Sequence, residues 1–169
     1  ALVGAIVVDA RSYTSKDGFA TAAFWVQDAD GHPYQVERLE RLKSTIHKTL
    51  SGELVTSDAV RRRDKIKKRE RNFVFPTSIT FDNEGSEIYT IIEVDTRDRA
   101  GLLFDLTRVL AAANVYISSA QIATYGAQVV DTFYVKDMFG LKLISRAKQE
   151  ALEARLREAI ETGARAAAE

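Results

Sequence analysis

Hydrophobic and polar positions along this chain follow two rhythms, one of period two and one near 3.6, in a fixed order. Ala5 to Thr14 and Phe19 to Gln27 are rich in β-branched or aromatic residues and flank Lys16-Asp17-Gly18, which predicts a hairpin. Val36, Leu39, Leu42, Ile46 and Leu50 then recur at helical spacing, with Gly52 placed to end the helix. Phe73 to Phe81 alternates as a strand, and Pro76 marks it as an edge. A turn at Asp82-Asn83-Glu84-Gly85 leads to a strand from Ile88 to Asp95. Leu102, Leu103, Leu106, Val109, Leu110 and Ala113 predict a helix over 100–113. Strands 114–124 and 128–136 follow around Tyr125-Gly126. Ala147, Ala151, Leu152, Leu156 and Ile160 then give a helix over 145–162 that Gly163 would stop. Alternation along the strand over 128–136 puts Phe133 and Val135 on one face, expected to meet Leu106 and Leu110 in the core.

Sliding the chain along itself reveals a repeat. With Gly4 placed on Asn114, Ala10 falls on Ala120 and Thr14 on Thr124. After one residue is dropped in the turn, Phe24-Trp25-Val26 lies on Phe133-Tyr134-Val135, Asp28 on Asp137 and Gly31 on Gly140. One residue is regained in the next loop, and Leu42, Ile46 and Leu50 meet Leu152, Leu156 and Ile160. Both halves thus read strand, turn, strand, Asp-x-x-Gly turn, amphipathic helix. The second copy has an opening strand and helix that the first lacks, and the missing pieces are expected before Ala1. This predicts a truncated first module at 1–52, a charged linker at 53–72 and a second module at 73–169. The strand over 73–81 has two possible homes; the short turn to the strand from Ile88 favours the second module.

Composition removes several function classes. Hydrophobic residues make up 46% and charged residues 28%, a globular balance. Lys plus Arg and Asp plus Glu number 24 each, so net charge does not point to nucleic acid or an anionic membrane. With no cysteine there is no disulfide, thiolate metal site or Cys nucleophile, which fits the cytoplasm. No apolar run reaches bilayer-spanning length, and ALVGAIVVDA lacks the basic start of a signal peptide. Eight of the eleven residues from Arg61 to Arg71 are basic. They read as a solvated linker, because no aromatic residues interleave and no nucleic-acid-binding motif surrounds them.

No catalytic constellation is legible. His32 and His47 lack metal-ligand spacing. No phosphate-binding loop, dinucleotide fingerprint or nucleophile elbow occurs. Asp95 and Asp98 flank a strand–helix loop without a partner acid or base. Catalytic and metal-ligating residues are therefore expected to be none. The loop Asp98-Arg99-Ala100-Gly101 before Leu102 and Leu103 is the feature that suggests binding. Backbone N–H groups at the helix start suit a carboxylate, Asp98 is placed to cap the helix or meet an ammonium, and Gly101 permits close approach. Asn114 and Ser118, at the start of the neighbouring strand, are further candidate contacts.

The loop Asp-Arg-x-Gly-Leu-Leu within this order of elements resembles ACT modules, the βαββαβ regulatory units that bind amino acids. It departs from their usual pattern at Ala100, where proline is typical. Asp9-Ala10-Arg11, Asp17-Gly18, Phe24-Trp25-Val26-Gln27-Asp28, Phe81-Asp82-Asn83, Ile91-Ile92-Glu93-Val94 and Ile122-Ala123-Thr124-Tyr125-Gly126 are together similar to the C-terminal ACT tandem of the bifunctional PII uridylyltransferase/uridylyl-removing enzymes. The resemblance implies an α+β fold of tandem ferredoxin-like modules, with antiparallel sheets and helices on one face. It also implies a role sensing glutamine for nucleotidyltransferase and HD hydrolase domains upstream, which act on the PII protein and need a divalent metal such as magnesium. Asp98, Arg99, Gly101, Leu102, Leu103, Asn114 and Ser118 would then contact the amino acid. Two other readings remain: a structural oligomerisation module, such as a homodimer through paired sheets, and nucleic-acid binding through Arg61 to Arg71.

Overall fold

A computed structural model describes residues 3–15, 17, 19–28, 30–54 and 76–168. The basic segment 61–71 lies outside the described residues, as do Lys16 and Gly18 of the first turn and 73–75 of the anticipated edge strand. The described elements are β1 (Ile6–Thr14), β2 (Ala20–Gln27), α1 (Leu39–Leu50), β3 (Ser78–Asp82), β4 (Thr90–Arg97), α2 (Leu102–Ala112), β5 (Tyr116–Tyr125), β6 (Gln128–Lys136) and α3 (Arg146–Ala168). All six strands form one antiparallel sheet in the order β2-β1-β5-β6-β4-β3. The strand carrying Ile79 and Phe81 pairs with β4.

The repeat is visible in the hydrogen bonds. Asp28 Oδ1 accepts from the N–H groups of Asp30 and His32, and Asp137 Oδ1 accepts from those of Phe139 and Leu141, all at 2.9 Å. Gly31 and Gly140 close the two turns at φ 84° and 77°, a left-handed backbone that favours glycine. Each copy also has a register shift at the same place, between Val7 and Asp9 in β1 and between Ile117 and Ser119 in β5.

One seam joins the copies. Strand β1 pairs antiparallel with β5, its counterpart in the repeat, and Arg11 lies opposite Gln121, the residue it matches. Ala10 opposite Ile122 and Ser12 opposite Ala120 are then equivalent pairs. The first hairpin therefore completes the sheet of the second module.

The core lies between one face of β4–β6 and the helices α2 and α3. Phe133 and Val135 are buried there with Leu106 and Leu110, in the anticipated register. Leu152, Leu156 and Ile160 face the same core from α3. Their counterparts in α1 do not: Ile46 is 49% and Leu50 83% exposed, and α1 has no buried residue. An amphipathic pattern buries its stripe only where another element supplies the opposing face. Among the described residues, α1 has no counterpart of α2 to lie on.

Gly163 does not stop the last helix, which continues to Ala168. The Arg99 side chain lies where a Cβ on Gly163 would project, and its guanidinium pairs with Asp105. Glycine inside this helix thus makes room for an arginine from the loop before α2. Gly163→Ala should gain less than the roughly 1 kcal/mol that helix propensity offers, because Arg99 must move. In an Arg99→Ala background the full gain should appear in urea unfolding. Equal gains in both backgrounds would contradict the packing.

Candidate functional site

After β4 the chain turns through Asp98, Arg99, Ala100 and Gly101. The Asp98 N–H donates to the Ala127 carbonyl at 2.9 Å, fastening this loop to the β5–β6 turn. Gly101 has φ 87° and stands immediately before the first helical residue, with no side-chain cap. Two expectations need correction. The helix starts at Leu102 rather than at residue 100, so Asp98 lies too far upstream to cap it. Glycine at 101 is explained by its left-handed backbone. The first helical bond runs from the Asp105 N–H to the Gly101 carbonyl at 3.0 Å. The N–H groups of Leu103 and Phe104 precede that ladder, at the positive end of the helix.

A cavity of about 460 Å³ opens beside this helix start. The loop and first turn form one wall, including Asp98, Arg99, Gly101, Leu102 and Leu103. Ala5, Ile6 and Val7 of the first copy also line it, next to the β1–β5 seam. Thr124 on β5 and Asp131 on β6 also line it. The Thr124 hydroxyl donates to the Val7 carbonyl at 3.4 Å, tying the copies together at the cavity edge.

The structure thus brings five of the seven anticipated site residues to one cavity. Asn114 and Ser118 are not among its lining residues. Asn114 has φ 56° and follows the end of α2, where its N–H donates to Ala111 and that of Val115 donates to Leu110, each at 3.0 Å. That is a Schellman ending, in which asparagine supplies the left-handed residue. Ser118 is the extra residue at the β5 register shift. Arg99 borders the cavity, but its guanidinium is directed to Asp105 and its side chain is only 4% exposed.

With the geometry in hand, the comparisons are decisive for the family. Residues 78–168 match the family model described as "ACR9-like, ACT-like domain". The chain belongs to the ACT-like domain family. It is 71% identical over 168 residues to the bifunctional uridylyltransferase/uridylyl-removing enzyme of Ruegeria pomeroyi, covering 99% of this chain and 18% of that protein. The enzymes of the same name from Cereibacter sphaeroides and Rhodospirillum rubrum are 70% and 42% identical, over 97% and 95% of this chain and 18% of each relative. The chain therefore spans under a fifth of the length of these curated relatives. No solved structure matches it.

In this ACT-like module the most informative site residue is one the sequence reading passed over. Asp131 is 1% exposed, and its Oδ1 has no hydrogen-bond partner. Burial first, and the negative charge of Asp98 second, push its carboxyl up from 3.8 to about 7. The signal was available in the alternation: Val129, Asp131, Phe133 and Val135 share one face of β6, and only Asp131 is charged. The repeat also singles it out, since the first copy has Ala22 at the matching place. Among the described residues no group of three or more His, Cys, Asp or Glu could hold a metal ion. No described helix is long and apolar enough to cross a membrane.

The raised carboxyl makes stability depend on pH. The folded chain retains a proton that the unfolded chain releases, so this contribution is full below pH 3.8 and is lost as pH rises through about 7. Wild-type stability should fall over that window relative to Asp131→Asn, by on the order of a few kcal/mol. Urea unfolding at several pH values reads this, and parallel curves for the two proteins would contradict it.

Proposed function

We propose that this chain is the amino-acid-sensing region of a uridylyltransferase/uridylyl-removing enzyme, with glutamine as its ligand. It would control catalytic domains elsewhere in the same protein and, through them, modification of the PII protein. The observation that carries the reading is the cavity itself. It brings the start of α2, whose N–H groups suit a carboxylate, and a buried acid, suited to an ammonium, into one lining. It is also lined by both copies of the repeat, so occupancy would bear on how those copies sit together. The divalent metal that the resemblance implies belongs to the catalytic domains and not to this cavity. A cytoplasmic setting accords with that role.

A second reading, an oligomerisation module, has one observation in its favour: Ile46 and Leu50 of α1, and Val36 just before it, are exposed apolar side chains. It predicts self-association that is indifferent to glutamine. Sedimentation with and without glutamine separates the two.

Calorimetry tests the sensing reading. Glutamine should give saturable heat with the 169-residue chain. Val7→Phe, which fills the cavity from the first-copy side, should weaken binding at least about tenfold while the thermal midpoint stays within a few degrees. This variant is a cleaner probe than a bulky residue at 101, which would strain the φ of 87°. Unchanged glutamine affinity in Val7→Phe would place the ligand elsewhere.

A further inference from the structure

We propose that Asp131 is the recognition residue of the cavity: its carboxylate receives the ammonium group of a small amino acid whose own carboxylate lies on the first-turn N–H groups of α2. This rests on the sensing reading above and assigns the ammonium to a residue that the loop motif does not contain.

Three observations carry it. Asp131 Oδ1 is buried without a partner, an arrangement that costs roughly 1–3 kcal/mol until a donor arrives. Its cross-strand neighbours on this face are Val94 and Ile122, and neither side chain can donate. The facing loop supplies Asp98, a second acid whose charge acts on Asp131. A neutral donor such as an amide would satisfy the oxygen without offsetting the charge of the carboxylate, whereas a cation does both. Arg99, the cation among the described lining residues, is engaged with Asp105. An incoming ammonium therefore brings Asp131 a donor and a positive charge together.

The repeat adds a consequence. Ala22 replaces the acid in the first copy, so that copy contributes an apolar wall and the second contributes recognition. Proton linkage follows as well. Among the described residues, the ionisable groups lining the cavity are Asp98 and Arg99 on the loop and Asp131 on β6; Ala5 and, on β1, Ile6 and Val7 are apolar, and β5 contributes Ile122 and Thr124. With Asp131 partly protonated near neutral pH, a bound ammonium displaces its proton.

The test is calorimetry of the 169-residue chain with glutamine and with 4-carbamoylbutanoate, which is glutamine without its amino group. Wild type and Asp131→Asn are compared in buffers of different ionisation enthalpy at about pH 6.5 and about pH 8. Asp131→Asn should weaken glutamine at least about tenfold and change 4-carbamoylbutanoate by less than about twofold. Wild type should release a proton on binding glutamine and bind it more tightly at the higher pH. Both effects should vanish in the variant. Equal losses for the two ligands would assign Asp131 a structural role and overturn the proposal. Wild-type heats independent of buffer would overturn it too, without reliance on any variant. Glutamine binding that survives Asp131→Asn overturns this assignment alone, whereas failure of wild type to bind glutamine overturns the sensing reading and this proposal together.

Discussion

The pairing of β1 with β5 is the contact on which the rest of the arrangement depends. Five residue pairs from Asp9–Ala123 to Tyr13–Ser119 join the two copies through matching strands, centred on Arg11 and Gln121. Among the described strands, β5 is the one the first hairpin pairs with, and an isolated hairpin is marginal in water. With that pairing, Ala5 to Val7 are brought to the start of α2, and an open helix end becomes one side of a cavity. Sheet register therefore positions the site more directly than any single side chain does. A shift of one residue would turn Ala10 and Ile122 away from the core they now share.

The two copies also separate what sequence pattern specifies from what packing decides. Leu42, Ile46 and Leu50 repeat the spacing of Leu152, Leu156 and Ile160. In α3 that stripe is buried against α2 and the sheet, while in α1 Leu42 is half-buried and Ile46 and Leu50 are exposed. The same periodicity formed a helix both times and a core only once. By contrast, the Asp-x-x-Gly turns close identically, because their carboxylate-to-N–H bonds are local.

Much of the fold was legible for that reason. Alternation and helical spacing located the strands and helices, and self-similarity matched β1, β2 and α1 to β5, β6 and α3. The anticipated inward register of Phe133 and Val135 is the one observed. The errors occurred where a local signal competed with a tertiary one. Gly163 looked like a stop, yet it accommodates Arg99 from 64 positions earlier in the chain. Asp98 looked like a cap, yet Gly101 takes that position. Asn114 and Ser118 lie outside the cavity lining, where one ends a helix in the left-handed conformation and the other is a bulged residue. Asp131 was missed because strand parity was used to find apolar core positions and not to ask which position on that face carried a charge.

The central claim is that one cavity, built from the loop before α2, the start of β1 and Asp131, binds the amino acid. Amide chemical-shift mapping of the ¹⁵N-labelled chain during glutamine titration tests it most directly. The account predicts the largest saturable shifts at residues 98–104, with further shifts at Ala5 to Val7 and at Asp131, and no comparable change around Ala22. Largest shifts elsewhere, for example along α1, with residues 98–104 and 131 unmoved, would contradict it.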